Sequence, residues 1–217
     1  MDNHKPSIQC GGFTLIEVAI VMIIVGLLIS AFIAPLSVQL DSRNYNETRN
    51  ALAEAKEALV GFALSHAATD EDPYLPCPDN SGDGLEDRKA TGECQVLEGN
   101  LPTQTLGLVS IDSWNNQYLY HVAPQFSNSV DGFNLSALGN ITVRNAAGAN
   151  LVDNIPALVL SRGKNGAAAA VSPDEQENTD ADTIFISHEF TPAFDDIVVW
   201  ISPNILLNRM VTANRLP

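Results

Sequence analysis

Between Lys5 and Asp41 the chain carries a single charged side chain, Glu17, set at the edge of an apolar run. An ionisable group in such a place is costly unless something pairs with it, so its chemistry points to charge pairing. The small pair Gly11-Gly12 lies just ahead of it, and a cut after Gly12 gives Phe13 a free ammonium four residues from Glu17. A neighbouring copy would offer the same ammonium to this carboxylate, and a charge pair in low dielectric would set the stagger between copies. Other candidate groups do not assemble into a reactive set. His4, His66, His121 and His188 are scattered, with no H-E-x-x-H, G-x-S-x-G or activated-cysteine context. Glu54 and Glu57 flank Lys56 with no His or Cys near, which reads as a solvated helix face. Gly163-Lys164 lacks the following Ser or Thr and the earlier Gly of a phosphate loop. The expectation is a protein that is not an enzyme.

The element that positions Glu17 is the run that follows it. Val18 to Leu36 is nineteen residues long, interrupted only by Gly26, Ser30 and Pro35. At about 1.5 Å per residue it reaches roughly 28 Å, the thickness of a bilayer's hydrocarbon, so the sequence predicts a membrane span. A cleaved secretory signal fits poorly, because no small-residue site follows the apolar core, and Cys10 precedes that core where a lipidated Cys would follow it. The helical pattern continues, with Leu52, Ala55, Leu59, Phe62, Ala63 and His66 on one face and Glu47, Arg49, Glu54, Lys56 and Glu57 mostly opposite. A helix to about His66 is predicted, with a kink allowed at Pro35 and a weak point at Gly61. The chain's 217 residues suffice for one domain plus this extension. A net charge of −15, from 26 acidic against 11 basic residues, leaves no basic footprint for nucleic-acid phosphates, so no nucleic-acid partner is expected.

The segment GGFTLIEVAIVMIIVGLLISAFI, residues 11–33, resembles the leader and first segment of type IV pilins and type II secretion pseudopilins. The resemblance implies that a prepilin peptidase cuts between Gly12 and Phe13 and methylates the new amino group of Phe13. It makes Glu17 the assembly residue. It divides the chain into a leader over residues 1–12, a transmembrane and assembly helix over 13–40, and a periplasmic body over 41–217 that includes the amphipathic half of the helix. The implied fold is α+β and pilin-like: a long N-terminal helix packed on a small antiparallel sheet, with disulfide-clamped and acidic loops. The implied place is the bacterial inner membrane, crossed once, and the implied partners are the prepilin peptidase, other pilin or pseudopilin subunits and the inner-membrane assembly machinery. Residues IDSWNNQYLYHV, with Asp112, Trp114, Asn116, Tyr118 and Tyr120, resemble the D-x-W-G-N-x-Y-x-Y signature of major pseudopilins, with Asn115 in place of the Gly. Asn also tolerates positive φ, so the turn survives the change. This favours a subunit of a type II secretion fibre. Two alternatives stand beside it: a minor pilin that primes or adheres, and a bitopic membrane binding protein whose leader is never cut.

Removal of the leader takes Cys10 with it and leaves Cys77 and Cys94, an even count in an oxidising compartment, which reads as a disulfide. Closing the intervening sixteen-residue loop stabilises by about 3 kcal/mol in the chain-entropy model. Zinc would need ligands that the neighbourhood lacks. Asp79–Asp87 starts like a calcium loop, but Ala90 stands where an EF-hand needs Glu, so a polar turn is expected. The runs LGLVSI, QYLYHVA, NITVR and IPALVLS predict strands of a small antiparallel sheet. A further strand is predicted over Ile197–Ile201, then a helix through Met210 with Ser202 as N-cap and Pro203 in its first turn. No cofactor is required, with calcium as the one candidate ion. The segment ALVLSRGKNG resembles the opening of the major pseudopilins' calcium loop, and DADTIFIS its closing piece. By that resemblance Asn165, Asp180 and Asp182 are the calcium ligands, with Asn165 where the family has Asp and carbonyls such as that of Leu160 alongside. Asp174, Glu175 and Glu177 are assigned to an exposed loop.

Overall fold

The computed structural model describes residues 12, 14–166 and 172–217, and for residues 31–37 the backbone alone. Phe13, Cys10 and the rest of the leader before Gly12 lie outside the described residues. The chain forms two units, Met1–Arg43 and Asn44–Pro217. Helix α1, Leu15–Ser65, is the long N-terminal helix that the apolar and amphipathic patterns predict, and its helical assignment runs through Pro35 and Gly61. Among the described residues no helix is long and apolar enough to cross a membrane. Side chains are described to Ser30 and again from Val38, so the end of the Val18–Leu36 run falls outside them.

Within Asn44–Pro217, α1 supplies a buried stripe: Leu52, Ala55, Leu59 and Ala63 are at most 2% exposed. These are the residues that helical spacing aligns, and burying each Leu stabilises by about 1.5–3 kcal/mol. His66, the last of that series, is exposed; its ring stacks on Phe62 at 3.8 Å. The stripe belongs to one core cluster with Tyr118, Tyr120, Val122, Leu158 and Leu160.

The remaining elements are β1 (Glu98–Asn100), α2 (Thr103–Leu106), β2 (Leu119–Val122), α3 (Pro124–Ser127), β3 (Ile141–Arg144), β4 (Asn150–Ile155), β5 (Ala157–Ser161), α4 (Pro173–Glu177), β6 (Ile184–Ile186), β7 (Ile197–Trp200) and α5 (Pro203–Thr212). The fold is α+β, as expected, but the single small sheet becomes two. One is antiparallel, in the order β1-β2-β5-β7, and the other runs β4-β3-β6 with β3 and β6 parallel. QYLYHVA, NITVR and IPALVLS contain β2, β3 and β5; LGLVSI contains no strand, because the helical turn α2 ends there on Gly107 at φ 71. β2 and β5 are buried along their whole length, and the β2 ring of His121 meets Phe185 of β6 edge-on at 5.5 Å. At the C-terminal end β7 and α5 match the prediction to within two residues, although the Ser202 side chain makes no capping hydrogen bond.

The Cys77–Cys94 disulfide is formed. Its loop is held from within as well: Asp79 accepts the N–H groups of Gly82 and Gly84, and Asp87 accepts those of Asn80 and Ser81. Each carboxylate thereby closes a local turn. Arg88 donates to the carbonyls of Gly92 and Ser127 and to Glu86.

Candidate functional site

At the start of α1, Thr14 and Glu17 cap the helix reciprocally. The Glu17 carboxylate accepts the Thr14 N–H and hydroxyl, both at 2.8 Å, while the Glu17 N–H donates to Thr14 Oγ1 at 3.3 Å. The T-x-x-E spacing dictates this, since the first amides of a helix have no partner within it and a carboxylate three residues in reaches back to the cap. Glu17 thus has a partner in Thr14 of its own chain, where the residue pattern pointed to the Phe13 ammonium, its own or a neighbouring copy's. The side chains around it are apolar and exposed, with Leu15 at 92% and Ile16 at 69%. The partner expected from outside, the Phe13 ammonium, is not among the described residues.

The tryptophan segment forms the tight turn its resemblance implies. Asn115 stands at φ 68 in place of Gly, and buried Asp112 accepts the N–H groups of Trp114 and Asn116 and the hydroxyl of Ser161. Asn116 then donates to the Gly163 carbonyl at 2.6 Å, and Thr48 of α1 accepts the Ser113 N–H. The Tyr118 phenol is pushed up to about 12, mainly by burial and further by the Asp112 charge. The turn is therefore a brace between α1, the antiparallel sheet and the loop after β5.

That loop meets a carboxylate cluster. Gly163 is needed there: its φ is 61, and a Cβ would run into the Asp195 carbonyl. The N–H groups of Lys164 and Asn165 donate to Asp195 Oδ2, and the Asn165 amide nitrogen donates to Glu175 Oε1 at 3.0 Å. Among the described residues the acids that meet are Glu175, Asp195 and Asp196, each with a carboxylate oxygen within 4.8 Å of the others. Burial is the main force that raises Asp195 above the usual carboxylate range. It pushes Asp196 up to about 7, against the Asn178 amide that donates to it, with Glu175 and Asp195 adding and Arg162 opposing.

The acidic groups of this region divide between the cluster and their own turn. Asp180 and Asp182 stand outside the cluster, and their carboxylates accept the N–H groups of Asp182 and Ile184 in their own turn. Asn165 does border it. Glu175, expected on an exposed loop, is 2% exposed, because Ser172 and Glu175 form a capping box that starts α4 and turns the acid inward. The S-x-x-E spacing carried that signal in the sequence. Asp195-Asp196 carried only its place before an apolar strand. Glu57 is likewise not merely solvated, for it pairs with Arg209 of α5.

The profile of the prokaryotic N-terminal methylation motif matches residues 9–33. No curated protein and no solved structure matches the chain. The matched stretch contains Gly12, Phe13, Thr14 and Glu17, and it supports a prepilin-type signal with a membrane-anchored N-terminus. It implies processing by prepilin peptidase and assembly with other pilin subunits.

Proposed function

We propose that this chain is a pseudopilin-like structural subunit, stored in the inner membrane, cut between Gly12 and Phe13, methylated at Phe13 and assembled through Glu17 into a periplasmic fibre that serves type II secretion. The observation that carries the reading is the methylation motif over residues 9–33. The nineteen-residue run Val18–Leu36 supports a single crossing, residues 13–40 form the assembly helix, and residues 41–217 form the periplasmic body. The Asp112–Tyr120 turn supports the secretion branch of the family, since its Asn115 adopts the backbone a Gly would supply. In assembly the Phe13 ammonium of one subunit pairs with the Glu17 carboxylate of another, whose second oxygen takes no hydrogen bond from Thr14.

A calcium ion belongs to the same reading, at Glu175, Asp195 and Asp196. The cluster supports it chemically: three carboxylates are hard oxygen ligands, and the buried Asp195 Oδ1 has no hydrogen-bond partner among the described residues. Asn165 joins them when its amide turns its oxygen inward.

Intact mass and N-terminal peptide mapping of the protein from its native membrane test the proposal. A chain that begins at Phe13 with one added methyl group is expected. A chain that still begins at Met1, in cells with an active prepilin peptidase, overturns it.

A further inference from the structure

A polar cleft of about 470 Å³ lies between β1, the tryptophan turn and the start of the loop after β5, lined by Glu98, Asn100, Asn116, Gln117 and Arg162 among others. Arg162 is half-buried and makes no hydrogen bond or ion pair with the described residues; its Nε is buried without a partner. In a chain with 26 acidic side chains and a net charge of −15, a guanidinium with no ion pair among the described residues, acting on Asp196 through its charge alone, is unexpected. The Nε–H is shut off from solvent, so the two terminal Nη groups are the donors that an acceptor entering the cleft would meet. Glu98 does not supply that acceptor: its carboxylate is turned to the buried His121, whose Nδ1 is 3.1 Å away. The other polar lining is amide, and one of these groups, Asn116, is fixed by its bond to the Gly163 carbonyl.

We infer that this cleft receives a carboxylate, bound by the planar fork of Arg162 and flanked by the amides of Asn100 and Gln117. A guanidinium matches a carboxylate with two parallel N–H···O bonds, a geometry that ammonium or amide groups do not reproduce. Glu98 on the cleft wall selects for a single carboxylate with hydrogen-bond donors beside it and against a polyanion. The source is either a free carboxylate compound or an acidic side chain of a second copy. The inference does not rest on the pilin reading.

The test is nuclear magnetic resonance of the full chain in detergent micelles, following the Arg162 Nε–H signal, which is identified by its loss in Arg162→Gln. Sodium acetate is titrated into dilute protein, with sodium chloride at matched ionic strength as control; in a second arm the protein alone is concentrated. A saturable shift with acetate that chloride does not reproduce is expected. A shift with protein concentration as well assigns the carboxylate to a second copy; its absence beside an acetate response assigns a free compound. A signal that moves in neither arm overturns the inference.

Discussion

Leu27 and Leu59 lie on one helix, yet Leu27 is 68% exposed and Leu59 is fully buried. Within Met1–Arg43 the described apolar side chains from Leu15 to Ile29 are all largely exposed, whereas within Asn44–Pro217 the same residue types close a core with two sheets. Helix formation is therefore indifferent to what the side chains meet; periodicity decides that. The amphipathic half of α1 leaves a polar face to water and covers its apolar face with its own domain. The uniformly apolar half has no such division, so in the proposed reading its burial comes from lipid or from other copies, at about 25 cal/mol for each Å² removed from water.

The comparison breaks most sharply at processing. Replacing Gly12 by Val is expected to abolish cleavage altogether, while Glu17→Ala leaves cleavage intact and stops fibre formation; intact mass and electron microscopy of sheared fibres read the two outcomes. Normal fibres from a strain whose only subunit is Glu17→Ala would falsify the assembly role. Next comes the core. Leu59→Ala should cost the folded body about 2–5 kcal/mol in chemical denaturation, and Leu27→Ala almost nothing, since only the first opens a cavity within the domain. Equal losses would mean that both halves share one protein core.

Reducing Cys77–Cys94, or Cys77→Ser with Cys94→Ser, should lower body stability by about 3 kcal/mol. Calcium should raise the melting temperature of the chain relative to the same protein in chelator, because an ion that binds only the folded state stabilises it by mass action. Glu175→Gln should remove that shift and Asp180→Asn should keep it; the reverse pattern would return the ligand set to Asp180 and Asp182. The smallest effect belongs to Glu57 and Arg209. The Arg209 hydrogen bond holds the Glu57 carboxyl below the usual carboxylate range, so its contribution is present above that range and lost as pH falls through the lowered value. The pair is exposed, at 54% and 42%, so Arg209→Ala should cost at most about 1 kcal/mol at neutral pH and nothing in strong acid.

What could be read from residues alone is what local rules govern. The length of α1, its buried stripe and strands β2, β3, β5 and β7 follow from spacing, because each depends on neighbours within a few positions, while the Asn115 turn was implied by the resemblance to the tryptophan signature. Strand β1 is short and polar, β4 is half polar and β6 is only three residues long, and they exist through their pairing with β2 and β3, which sequence does not display. The antiparallel sheet was legible; the parallel β3–β6 pair, joined by a long crossover, was not.

The candidate sites divide in the same way. Gly12, Phe13 and Glu17 are marked by sequence, since one charge beside a long apolar run is conspicuous at any fold, and the capping box with Thr14 needs only a spacing of three. The disulfide partners were fixed by counting. The carboxylate cluster and the Arg162 cleft were decided by tertiary structure alone: Glu175, Asp195, Arg162 and Asn116 come from separate segments and are brought together by the Gly163 turn and the capping box of α4. Charged residues in a sequence are presumed solvated, and only folding determines which of them are withdrawn from water and whose company they then keep.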